Sequence, residues 1–133
     1  MSEHNSTVQL ATGMLRNVKC PEQRAFKEFR VCWPPIRDAI KLAKCIVYSF
    51  GVANYDALTV GLAQAGCNVF AFDPGYKHIE HPWPNVTFRH YGLLSNINNE
   101  FSGIYGSTSQ GKYVDFDIIR REFGHSHITL MKS

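Results

Sequence analysis

Long hydrophobic runs are absent from these 133 residues, and so is any block of like charge. The longest apolar stretches fall far short of the roughly 20 residues that a membrane-crossing helix needs, so none of them is read as a transmembrane span. The opening residues, Met1-Ser2-Glu3-His4-Asn5, lack the basic-then-apolar order of a secretory signal, which leaves the cytoplasm as the default compartment. Lys and Arg total 14 against 11 Asp and Glu, a formal charge of +3 spread along the chain. Without a basic run to neutralise a row of phosphates, a dedicated nucleic-acid binder is disfavoured. Cysteine is scarce: four residues cannot hold together a chain of this size without a core, and none are in C-x-x-C spacing. There is no G-x-x-x-x-G-K-[ST] loop, which excludes the usual cradle for ATP or GTP phosphates. What is present is 44% apolar residues against 19% charged, the balance of a folded domain and not of a disordered chain.

The chain divides at residue 45. Residues 1–44 are read as a lead-in: a polar stretch over 1–21, a short helix over 22–31 with Phe26 and Phe29 on one side, a stop at Pro34-Pro35, and another turn or two over 36–44. From 45 onward the pattern is strand and helix in alternation. Cys45-Ile46-Val47-Tyr48-Ser49-Phe50 is a continuous apolar run bounded by Gly51, the signature of a strand buried on both faces. A helix follows over 55–65, with Asn54 as its cap and Gly66 as its left-handed end. Cys67-Asn68-Val69-Phe70-Ala71-Phe72 makes the second strand, ending at Asp73-Pro74-Gly75. Loops are expected over 74–84 and 95–112, a third strand over 85–91, a helix over 114–123 ended by Gly124, and a fourth strand from His127. Strand–helix–strand order predicts an α/β fold with a Rossmann-like parallel sheet and flanking helices. Four strands, the last at the end of the chain, predict a domain truncated after that strand, its outer edge unpaired.

The residues that point to chemistry are Gly51 and Asp73. A glycine between first strand and first helix permits positive φ and lets a ligand approach the backbone. An acid at the carboxyl end of the second strand can accept hydrogen bonds from both hydroxyls of a ribose. The string Gly51-Val52-Ala53-Asn54-Tyr55-Asp56 keeps only the first glycine of the dinucleotide fingerprint, and Asp56 would set a negative charge where a pyrophosphate should sit. S-adenosylmethionine has a ribose but no phosphate and fits better.

These segments, Val47-Tyr48-Ser49-Phe50-Gly51-Val52-Ala53-Asn54 and Gly66-Cys67-Asn68-Val69-Phe70-Ala71-Phe72-Asp73-Pro74, resemble the FkbM-related methyltransferase-domain family that includes methyltransferase-like protein 24. The likeness extends to Gly92-Leu93-Leu94-Ser95 and to the stretch from Asp117 to His125, and covers about residues 45–133. It implies the class I S-adenosylmethionine-dependent methyltransferase fold, here its N-terminal part, with methyl transfer to an acceptor the chain does not identify. It also implies that Phe50, Gly51 and Val52 line the methionine end of the cofactor, that Asp73 holds the ribose, and that Gly92 and Leu93 lie near the adenine. No catalytic base is implied at any position.

Plainer readings stand beside these. Gly51 can simply end a strand, and Asp-Pro-Gly is ordinary turn chemistry. His78, Glu80 and His81 sit in a proline-rich stretch and read, like His125 and His127, as solvated histidines and not a metal site. Cys45 and Cys67 read as small buried hydrophobes; a bridge between Cys20 and Cys32 would require an oxidising compartment. Asn5-Ser6-Thr7 and Asn85-Val86-Thr87 match the glycosylation sequon, but the second falls within the expected third strand and no signal peptide supports either. Lys112, Arg120 and Arg121 read as a solvated helix face, and Trp83 as packing over its loop. Without the later strands the alternative function is a non-catalytic module that keeps part of a Rossmann-like sheet.

Overall fold

In the computed structural model the described residues are 9–11, 19–52, 56–75, 83–93, 107–108 and 111–133. The centre is a pair of parallel strands. Ile46–Phe50 runs beside Asn68–Phe72, with Ile46 opposite Asn68 and Phe50 opposite Phe72. Both are rich in β-branched and aromatic residues, and their side chains feed cores on both faces. Val47 and Val69 join Ile36, Leu58, Leu62 and Leu130 on one face. Tyr48, Phe50 and Phe72 join Val114, Ile119 and Ile128 on the other.

Numbered in chain order, the strands are β1 (Gln9–Ala11), β2 (Gln23–Phe26), β3 (Phe29–Cys32), β4 (Ile46–Phe50), β5 (Asn68–Phe72), β6 (Val86–Arg89), β7 (Tyr91–Leu93), β8 (Ser107–Thr108), β9 (Gly111–Val114) and β10 (Leu130–Lys132). The helices are α1 (Trp33–Lys41), α2 (Ala57–Ala65) and α3 (Phe116–Phe123). The main sheet has the order β1-β10-β4-β5-β6, and every pair in it is parallel. A parallel sheet with flanking helices and a core on each face is compatible with the Rossmann-like arrangement expected from the sequence.

Helix α2 is the crossover between β4 and β5. Asp56 caps it by accepting the Thr59 N–H at 2.9 Å, and Gly66 closes it in the left-handed region at φ 119°. The cap is therefore Asp56 and not Asn54, which lies outside the described residues. The close of α3 at Gly124, φ 74°, follows the expected pattern.

Several expectations are corrected. Residues 22–31 are not a helix. They form the antiparallel hairpin β2–β3, turning at Lys27 with φ 59°. The pairing sends both Phe26 and Val31 into the core around Ile36 and Leu62, whereas a helix would place Val31 well away from a Phe26–Phe29 stripe. Pro34 and Pro35 do not stop a helix. They begin one, because a proline in the first turn removes an N–H that has no intrahelical partner. The expected third strand divides: β6 ends at Arg89, and β7 crosses to a separate sheet of order β7-β9-β8. Residues 107–108 and 111–112, expected in a loop, belong to that sheet, so Lys112 is on a strand and not on a helix face. The outer edge of β10 is paired: β1, from the segment expected to be a lead-in, lies parallel to it with Gln9 opposite Leu130. Finally, Cys45 and Cys67 are buried as expected but are not free thiols. They form one disulfide, and Cys20 and Cys32 form a second.

Candidate functional site

Chain order in the main sheet reverses at β4. From there the chain steps outward through β5 to β6, and later returns to place β10 on the opposite flank. Such a reversal opens a crevice beyond the carboxyl ends of the strands, the usual ligand position in open α/β sheets. Three of the sequence-selected residues meet at this edge.

Gly51 follows the last residue of β4 and adopts φ 78°, the left-handed region that glycine enters without a steric penalty. Its N–H donates to the Phe72 carbonyl at 2.8 Å, so the bend lies directly beside the end of β5. Among the described residues a Cβ added at Gly51 would meet no atom within 4 Å, so they leave the space over the bend open. Asp73 is the next residue along β5. Its N–H donates to the Arg89 carbonyl at 3.2 Å, and its Oδ1 accepts the Gly75 N–H at 3.0 Å. That second bond is the expected chemistry of an Asp-Pro-Gly turn. Gly92 is buried at the same edge: an added Cβ would lie 2.4 Å from the Tyr113 ring and 2.9 Å from Pro74 Cγ.

The remaining three are placed differently. Phe50 is buried and stacks on Phe72 with ring centroids 4.7 Å apart, and Val52 is buried as well. Their side chains belong to the interior, and a ligand over the bend would meet backbone at these positions. Leu93 is half-buried against the aromatic core that contains Tyr48 and Phe72.

The sequence reading missed Lys132. At the end of β10, its Nζ donates to the Phe50 carbonyl at 3.0 Å, the Gly51 carbonyl at 3.2 Å and Asp56 Oδ2 at 2.8 Å. Those three acceptors match the three donors of an ammonium group. Beside them the Thr59 hydroxyl donates to Ser49 Oγ at 2.9 Å. The network clamps the bend from below and spends both carboxylate oxygens of Asp56 inside the protein. The one available signal was a lysine at the end of an otherwise apolar strand, Leu130-Met131-Lys132.

On the sheet face that carries Phe50 and Phe72, Tyr48 and His125 share a 2.7 Å hydrogen bond, with the rings of Phe70 and Phe116 packed against Tyr48. Burial pushes the Tyr48 phenol up to about 12 and lowers His125 below the ordinary imidazole range. His125 also borders, with Lys44 and His127, an open cavity of about 520 Å³ at the amino edge. His78, Glu80 and His81 lie outside the described residues. Arg120 is half-buried and bonded to Asp117 and the His125 carbonyl, so it is more than a solvated charge.

No protein-family model, curated protein or solved structure matches this chain. Among the described residues no helix is long and apolar enough to cross a membrane.

Proposed function

We propose that the carboxyl edge around Gly51 and Asp73 binds S-adenosylmethionine, and that the chain is a class I methyltransferase domain, or part of one, acting on an oxygen or nitrogen acceptor. The observation that carries this reading is the open, positive-φ bend at Gly51 hydrogen-bonded to the strand end that bears Asp73. The bend admits close approach to the backbone. The carboxylate beside it suits a vicinal diol. Bound there, the cofactor would supply a methyl group on a positively charged sulfonium. The protein's part is to hold that methyl and an acceptor in near-attack geometry and to exclude water.

Two details weigh against a dinucleotide instead. The first turn of α2 is capped by Asp56, which occupies the Thr59 N–H that a phosphate would use. The Asp56 carboxylate is in turn paired with Lys132, so the helix start presents a satisfied ion pair and not an anion-binding cradle.

Calorimetric titration with S-adenosylhomocysteine tests the proposal. Saturable binding is expected, weakened roughly 10- to 100-fold in Asp73→Ala, the equivalent of about 1.5–3 kcal/mol for hydrogen bonds to a charged group. Gly51→Val should weaken binding as well, because a side chain would fill the space over the bend and a β-branched residue is strained at φ 78°. Absence of heat with protein shown by circular dichroism to be folded would sink the reading and favour a non-catalytic module. Saturable quenching or enhancement of NADH fluorescence would favour a dinucleotide enzyme.

A further inference from the structure

We propose that Asn85 is the acceptor of an N-linked oligosaccharide, added in the same oxidising compartment in which Cys20–Cys32 and Cys45–Cys67 are formed. All four cysteines of the chain are disulfide-bonded, with Cα–Cα distances of 5.7 Å and 4.8 Å, inside the range a bridge requires. One bridge ties the polar segment at Cys20 to the end of β3. The other joins the starts of the neighbouring strands β4 and β5, with Cys45 and Cys67 both buried. A core bridge out of reach of solvent is structural and not a transient redox pair. Structural disulfides accumulate where a disulfide donor is available to take two electrons and two protons from each thiol pair, and glutathione-reduced cytosol is not such a place. The proposal therefore takes an oxidising compartment in place of the cytoplasm.

The sequon Asn85-Val86-Thr87 then acquires meaning. A place inside a strand would count against it. Asn85 instead stands in the turn before β6, exposed, with φ 66°. Its carbonyl accepts the Val69 N–H at 2.9 Å, which pins the backbone. Thr87 follows two residues later on β6, the outer strand of the sheet. The site lies at the amino edge. The five residues of β5 separate that edge from the Gly51–Asp73 bend by about 13 Å at the strand rise of about 3.3 Å per residue. A glycan at Asn85 therefore leaves the proposed cofactor site open, and this inference stands whether or not that reading does. In the transfer, Asn85 Nδ2 forms a bond to the anomeric carbon of a lipid-diphosphate-linked oligosaccharide. The bond from that carbon to the diphosphate oxygen breaks, the diphosphate lipid leaves, and the amide gives up one proton.

The test is peptide mapping of the protein purified from its native cells, alkylated without reduction and then treated with peptide N-glycosidase in heavy-oxygen water. Expected are the two linked cysteine peptides and Asn85 recovered as isotope-labelled aspartate. Four alkylated thiols, or intact disulfides with an unmodified Asn85, would overturn the proposal. In eukaryotic cells, with the chain placed behind a cleavable secretion signal, Thr87→Val should remove one glycosidase-sensitive mobility step and Thr87→Ser should retain it. Retention of that step in both Thr87→Val and Asn85→Gln would place the glycan elsewhere and overturn the assignment.

Discussion

Lys132 Nζ lies 2.8 Å from Asp56 Oδ2, with the two side chains only 8% and 6% exposed. The pair joins the last strand of the main sheet to the cap of the helix that connects β4 and β5, across 76 residues of chain. Lys132 also donates to two carbonyls at the Gly51 bend, which adds to the hold of the Gly51 N–H on the Phe72 carbonyl. Lys132→Met leaves a buried carboxylate without its cation and is expected to cost about 3–5 kcal/mol in urea unfolding. Asp56→Asn combined with Lys132→Met should cost less than the sum of the single changes, because the double variant no longer buries an unpaired charge. Strict additivity would show that the two residues do not act as a pair.

Stability should fall at both ends of the pH scale, for separate reasons. The Tyr48 phenol, raised from 10.0 to about 12 by burial, stays protonated in the folded protein while the unfolded chain ionises first. The contribution is complete below pH 10 and is lost as pH rises toward 12, on the order of 2–3 kcal/mol. His125 is lowered below 6.5 by burial, so the unfolded chain takes up the proton first. Its contribution is complete above that pH and declines as pH falls through it. Thermal unfolding from pH 4 to 11 checks both limbs: His125→Gln should flatten the acid limb, and Tyr48→Phe the alkaline one.

Gly92→Ala tests the packing of β7 over the Asp73-Pro74 turn. The new methyl would lie 2.4 Å from the Tyr113 ring and 2.9 Å from Pro74 Cγ, so ring and turn must both give way. The expected cost is about 1–3 kcal/mol. If the carboxyl edge is a ligand site, binding of S-adenosylhomocysteine should weaken at the same time, because the displaced Pro74 adjoins Asp73. A change in unfolding free energy of less than about 0.5 kcal/mol would mean that Tyr113 does not pack there in solution.

The core bridge is expected to be worth more than its burial alone. Cys45 and Cys67 are 22 residues apart, and restricting a loop of that size in the unfolded chain corresponds to about 3 kcal/mol. Cys45→Ala with Cys67→Ala should lower the unfolding free energy by about that amount or more. A strong reductant should have the same effect on the native chain only under conditions that first expose the buried sulfurs.

The central α/β unit was legible because its signals are local. Apolar runs of five or six residues bounded by Gly51 and Asp73 specify strands, and Gly66 and Gly124 mark helix ends through a backbone angle that few other residues adopt. The hairpin at 23–32 was not legible. Phe26 and Phe29 satisfy helical spacing as well as a hairpin does, and the choice rests on Val31 reaching the same core. The prolines misled for a similar reason: Pro34-Pro35 means stop or start depending on which side the hydrogen bonds lie.

Residue order alone therefore settled where β4, α2 and β5 lie, and that Gly51 and Asp73 end adjacent strands, because each of those outcomes depends on neighbours within a few positions. Contacts across the whole chain decided the rest: Gln9–Ala11 beside β10, Cys45 bonded to Cys67, and Lys132 beneath the Gly51 bend. Such pairings are selected by burial and charge balance between segments brought together only when the chain closes on itself, and no periodicity or short motif encodes them.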